Sequence, residues 1–192
     1  MPQAILLTGG SGAGKTTTAQ AVAGLLTNAG HTTGLLDLDA VAQFGPQPPV
    51  SRGAAPAPEA VAADAAVGAS VEGSGLRFSD QLRIDNLAAV WRTYRAAGAE
   101  YLIASGPVTS AELRARYTAA LPDCTVQVVR LVTDPELIAN RTSATRGPDW
   151  DLAAALADAE SHAPIEDFLV TNNRPVADTA AEILTLTGWP TG

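Results

Sequence analysis

The chain has 192 residues, 46% of them apolar, with a formal net charge of −8 and a pI near 4.6. That much apolar material can build a sizeable core, and the acid excess excludes general affinity for nucleic acid or an anionic membrane surface. A single cysteine, Cys124, excludes an internal disulfide and a cysteine metal cluster, and no apolar run reaches the ~20 residues of a membrane span; a cytoplasmic protein with neither nucleic-acid nor membrane partners is expected.

The first predicted element is a buried strand near residues 4–8, "AILLT", followed at once by "GGSGAGKTT". The spacing G-x-x-x-x-G-K-[ST] holds with Gly9, Gly14, Lys15 and Thr16 in the fixed places. Of twelve Lys and Arg residues, eleven are Arg, and the one lysine stands here. Strand, glycine-rich turn and helix start together form an anion cradle, because backbone N–H groups and the positive helix end point at one place. Gly9, Gly10, Ser11, Gly12, Ala13, Gly14, Lys15, Thr16 and Thr17 are therefore expected to bind the phosphates of ATP. Lys15 reaches the β- and γ-phosphates, and the Thr16 hydroxyl ligates Mg2+. The helix so begun is expected to run from about Lys15 to Ala29 and stop at Gly30.

A second strand, near 33–38, ends in "GLLDLDAV". At the carboxyl edge of a parallel sheet, Asp37 and Asp39 face a ligand crevice, and the strand is expected beside the one that carries the phosphate loop. If the chain stays extended, both carboxylates project to one side. Asp37 then assists the metal and Asp39 deprotonates an acceptor hydroxyl, both bordering the acceptor site. The alternative is that one of them caps the next helix, Asp39 before Asp37. Residues 45–75 carry five prolines and an alanine-rich middle and read as an insertion, either a flap over the substrate or a passive surface loop.

Next comes "FSDQLRIDNLAAVWRTYRAAGAEYLIAS". Leu87, Val90, Trp91 and Tyr94 mark a helix that stops at Gly98, and a third strand follows near 100–105. That strand lacks a terminal Asp, which shifts the metal role to Asp37, with Ser105 as a helper. On the residues alone, Arg83 is either a solvated charge or a contact to an anion or ribose. The spacing F-S-x-x-x-R-[IV]-[DE]-N-[IL] resembles the stretch with which adenylyl-sulfate kinases grip their substrate's anionic groups, and "DLD" resembles the family's Asp-Gly-Asp. The resemblance covers roughly residues 1–40 and 78–120 and implies that Arg83 and Asn86 line the acceptor pocket. Three departures stand against the family's own substrate. Ala42 occupies the place of an anion-gripping Arg, the 45–75 insertion replaces a short connection, and no lysine follows Lys15 to build the family's lid.

Thr109 with Glu112 and Thr133 with Glu136 have capping-box spacing and predict two helix starts. They flank a fourth strand near 125–132, which Cys124 precedes as a small apolar residue. Behind Thr133, in "ELIANRTSATRGPDW", Arg141 and Arg146 fall in a candidate lid at about 140–149; many small kinases of this loop class close such arginines over the transferring phosphoryl group. A fifth strand near 167–171 leads into "TNNRPVADTA". This resembles the adenine-contacting loop of such kinases and nominates Asn172, Arg174 and Pro175. The last helix, 176–187, places Val176, Ala180, Ile183 and Leu184 on one stripe before Gly188. His31 and His162 have no partners at ligand spacing.

Alternating strands and helices predict a single α/β domain, a P-loop NTPase three-layer sandwich with a parallel five-stranded sheet, similar to nucleoside and adenylate kinases. The expected activity is transfer of the γ-phosphoryl group of ATP, with Mg2+, to a hydroxyl of a small molecule other than adenylyl sulfate. The alternative is a regulatory P-loop ATPase with no small-molecule acceptor.

Overall fold

Five apolar runs become five parallel strands: β1 (Gln3–Gly9), β2 (Thr33–Asp37), β3 (Tyr101–Ser105), β4 (Thr125–Val132) and β5 (Phe168–Thr171). The structure is a computed structural model that describes residues 1–45, 76–143, 150–161 and 165–191. The 45–75 insertion beyond residue 45, the lid segment from 144 to 149 with Arg146, and His162 all lie outside the described residues. The strand order is β2-β3-β1-β4-β5. β1 is central and, after Gln3, buried along its length, as a strand covered on both faces must be.

The pleat sends alternate residues of β1 to opposite faces. Ala4 and Leu6 join Leu87 and Trp91 of α2 (Phe78–Ala96) and Leu113 and Tyr117 of α3 (Ala111–Ala119). Ile5 and Leu7 join Val22 and Leu26 of α1 (Lys15–Asn28) and Ile183 and Leu184 of α6 (Val176–Thr187). The result is the expected three-layer sandwich, with α2 and α3 on one side of the sheet and α1 and α6 on the other. α4 (Pro135–Ser143) follows β4, and α5 (Leu152–Ser161) precedes β5.

One expectation about neighbours is corrected. β2 does not lie beside β1; β3 stands between them, pairing Leu36 with Ala104 and Asp37 with Ser105 on one flank and Ile5 with Ile103 on the other. Small residues at the end of β3 let the chain leaving β2 fold over it. The Leu38 amide donates to the Ser105 carbonyl at 2.8 Å, and a Cβ on Gly106 would stand 2.6 Å from Leu38 Cβ, closer than packing allows.

Two helix starts are also corrected by one position. α3 is capped by Ser110, whose hydroxyl accepts from the Leu113 amide at 3.1 Å, and not by Thr109. α4 begins at Pro135, a favoured first helical residue. Thr133 is buried and donates its hydroxyl to the Ala13 carbonyl at 3.2 Å. Among the described residues no helix is long and apolar enough to cross a membrane.

Candidate active site

The phosphate loop joins β1 to α1. The Ala13 amide donates to the Gly10 carbonyl at 3.2 Å, and the Thr18 amide makes the first α1 bond to the Gly14 carbonyl at 2.9 Å. The amides before Thr18 belong to the first helical turn, where no intrahelical acceptor exists, and they are available to phosphate oxygens. Gly12 has φ +80°, and a Cβ there would meet Ile138 Cγ2 at 2.8 Å, so glycine is needed both for the backbone and for the close seat of α4 on the loop. Lys15 Nζ donates to the carbonyls of Gly9 at 2.9 Å and Gly10 at 3.1 Å, which holds the ammonium over the loop.

The two aspartates do not share a side, because the chain turns after β2. Asp37 Oδ1 accepts from the amides of Asp39 at 3.0 Å and Ala40 at 3.1 Å, capping a 3₁₀ turn over Ala40–Ala42. Its Oδ2 accepts from the Thr16 hydroxyl at 3.0 Å. The capping role therefore falls to Asp37, and the same residue still reaches the helix that carries Thr16, across the end of β3. Asp39, with helical backbone angles, turns instead toward α2, where its Oδ1 meets Arg83 Nη2 at 2.9 Å.

On α2, Arg83 Nη1 donates to Asp80 Oδ1 at 2.8 Å, and Arg77 Nε donates to Asp80 Oδ2 at 2.9 Å. Arg77 just before α2 and Asp80 and Arg83 within it are spaced three residues apart and close into a network around the buried Asp80 carboxylate, with Arg77 half exposed. Arg83 Nε and the Tyr117 hydroxyl are buried without a hydrogen-bond partner among the described residues. Burial pushes the Tyr117 phenol well above its usual range; Arg83 pulls the other way, and Asp80 and Asp39 add to the rise. Asn86 donates to the Val41 carbonyl at 2.6 Å. This ties α2 to the 3₁₀ turn and leaves Asn86 outside the cleft wall, against the expectation that it lines the acceptor pocket.

Across the loop, Asn172 is 3% exposed. It donates Nδ2 to the Ala13 carbonyl at 2.8 Å and accepts the Thr179 hydroxyl on Oδ1 at 3.1 Å. Its side chain braces the phosphate loop and is not extended toward a base. Arg141 of α4 donates Nη2 to the Asn172 carbonyl at 3.1 Å, and Arg174 pairs with Glu182. Pro175 is the N-cap residue just before α6.

These parts enclose one cleft of about 1120 Å³. Gly9, Ser11, Gly12, Gly14, Lys15, Thr16, Thr17, Arg141, Asn172 and Arg174 line its phosphate half, and Asp39 stands at the boundary. Leu76, Arg77, Asp80, Arg83, Pro107, Thr109, Ser110, Glu112 and Leu113 line the other half. The structure thus brings Lys15, Thr16, Asp39, Arg83, Arg141 and Arg174 into one space. Arg77 and Asp80 carry no motif of their own in the sequence, and their i, i+3, i+6 spacing with Arg83 is the signal that points to them; Glu112, expected only as a capping residue, also lines the cleft.

The family model of adenylylsulphate kinase matches residues 1–44. No curated protein matches the chain. Among solved structures, the APS kinase of Mycobacterium tuberculosis, bound to AMPPNP and APS, is 20% identical, with 97% of this chain and 98% of that one aligned at a TM-score of 0.57. A sugar kinase from Janibacter sp. HTCC2649 is 21% identical over 98% of this chain and 95% of its own, at 0.63. The tunicamycin resistance protein of Deinococcus radiodurans is 16% identical over 99% and 98%, at 0.62. The protein is similar to all three over essentially its whole length, and it has the P-loop NTPase α/β fold that small-molecule kinases share.

Proposed function

We propose that the protein is a phosphotransferase that moves the γ-phosphoryl group of ATP to a hydroxyl of a small molecule other than adenylyl sulfate. The observation that carries this is a division of labour at the end of β2. Asp37 is held against Thr16 beside the phosphate loop and does not line the cleft, while Asp39 turns toward α2 and lines the cleft with its carboxylate on Arg83. A pure ATPase has no need of a second, walled half with its own carboxylate at the boundary. The kinases of the same fold supply precedent for small-molecule acceptors of several kinds.

ATP would lie with its phosphates on the loop amides, Lys15 and Thr16, and its base toward Arg174 and Pro175. A magnesium ion fits the residues present, because the Thr16 hydroxyl and Asp37 carboxylate are two hard oxygen donors 3.0 Å apart; when bound, it neutralises charge on the β- and γ-phosphates. Asp39 Oδ1 is fixed by Arg83, and Oδ2 accepts the proton of the acceptor hydroxyl. The acceptor oxygen bonds to the γ-phosphorus as the bond to the β-bridging oxygen breaks, and ADP leaves. Lys15 and Arg141 stabilise the spreading charge on the transferring group.

Lys15→Ala tests the reading. It should abolish transfer and weaken ATP binding while the melting temperature of the protein without nucleotide barely moves, since the ammonium's main work is done on ligand. Unchanged ATP turnover in the purified variant would contradict it.

A further inference from the structure

We propose that Asp80 sets the acceptor class of the cleft: it draws Arg77 and Arg83 onto its carboxylate, offsets their charge together with Asp39, and so selects an uncharged polyhydroxy acceptor over an anionic one. The proposal rests on the phosphotransferase reading above and assigns that site its acceptor chemistry.

The Asp80 side chain is only 6% exposed. A carboxylate at that depth is tolerated only when matched, and Asp80 is matched by both arginines, at 2.9 and 2.8 Å. Arg83, 14% exposed, commits the two ends of its fork to Asp80 and Asp39. Its Nε is buried and closed to solvent. Each terminal nitrogen keeps a second N–H, but an anion approaching it also approaches Asp80 and Asp39, whose carboxylates already offset the guanidinium charge, so an anionic acceptor gains little net attraction there. Arg83 is thus a positioning residue for Asp39.

The formal charges agree. Among the described lining residues, Arg77 and Arg83 stand with the carboxylates of Asp39 and Asp80, so the charges balance, and Glu112 pairs with Arg116 of its own helix. The phosphate half holds Lys15 and Arg141, with Arg174 paired to Glu182. The remaining acceptor wall combines hydroxyls of Thr109 and Ser110 with the apolar surfaces of Leu76, Pro107 and Leu113. Hydroxyl donors on a ring suit the carboxylates, and the ring's aliphatic face suits the leucines and proline. A sugar or nucleoside without phosphate, sulfate or carboxylate has this chemistry.

The test is equilibrium binding of two probes that share a nucleoside, adenylyl sulfate and adenosine, to the full chain with its phosphate loop saturated by AMPPNP and Mg2+. Asp80→Asn should bind adenylyl sulfate at least about tenfold more tightly than the wild type, because the cluster of Arg77, Asp80 and Arg83 becomes more positive by one charge, while adenosine affinity changes by less than about threefold. If Asp80→Asn does not fold, Asp39→Asn decides; Asp39 is 55% exposed, and its removal frees the other end of Arg83, with about a fivefold gain expected. Adenylyl sulfate binding that is unchanged or weaker in the folded variant, or a wild type that already prefers adenylyl sulfate over adenosine, overturns the proposal. The nucleotide cannot transfer its phosphoryl group, so discrimination would persist in a protein that is no kinase. Absent transfer with retained discrimination therefore counts against the phosphotransferase alone, and transfer without discrimination counts against the role of Asp80 alone.

Discussion

Asp37 accepts three hydrogen bonds, two from the turn that follows it and one from Thr16, whereas Asp39 is held by a single arginine at the cleft boundary. Substituting each should therefore have distinct effects. Asp39→Asn should lower kcat roughly 10²- to 10⁴-fold with ATP affinity near normal, and Asp37→Asn should raise the Mg2+ concentration needed for half-maximal rate. Steady-state kinetics across a magnesium series separates the two, and equal small effects from both would mean that the pair is only structural. Asn172 offers a second contrast. Asn172→Asp keeps an acceptor for Thr179 but loses the donor to the Ala13 carbonyl, leaving buried groups mismatched at about 1–3 kcal/mol each. Denaturant unfolding without nucleotide should show the loss; a residue that touched only the adenine would leave that stability unchanged.

The strands and most helices were legible because their signals are local. "AILLT" followed by a glycine loop, the stripe of Ala180, Ile183 and Leu184, and the stop at Gly98 all depend on neighbours a turn or less away, and the observed bounds of β4 and α6 coincide with the expected ones. Sheet order was not legible in the same way. With β3 between β2 and β1, Leu38 passes close over Gly106, a contact between residues far apart in the chain that no local signal reports. The capping errors have a related cause: Thr109 and Ser110 are both good caps, and packing of Leu113 chooses between them. α4 shows how an element serves the site. Gly12→Ala would force a methyl against Ile138 and strain a φ of +80°, so ATP affinity should fall at least tenfold. Adding Ile138→Ala should restore part of it, by removing the clash and not the strain; affinity titration of the single and double variants checks this.

At the scale of the whole molecule, an acidic chain of net charge −8 concentrates Lys15 and Arg141 in one half of a cleft and offsets Arg77 and Arg83 with Asp80 and Asp39 in the other. The phosphate half could be found in the sequence because its spacing is fixed by the anion it cradles. The acceptor half could not, because Asp80 acquires its meaning only when α2 packs and carries Arg77 and Arg83 to one buried carboxylate. The central claim is that this two-part cleft transfers a phosphoryl group to a hydroxyl. Its most direct test is to incubate the protein with ATP, Mg2+ and a broad library of hydroxyl-bearing metabolites and to follow masses. The account predicts that at least one uncharged polyhydroxy compound gains a single phosphoryl group as ADP forms in equal amount, and that Lys15→Ala abolishes the gain. ADP formation at the same rate with and without every compound, and no mass gain, would contradict it.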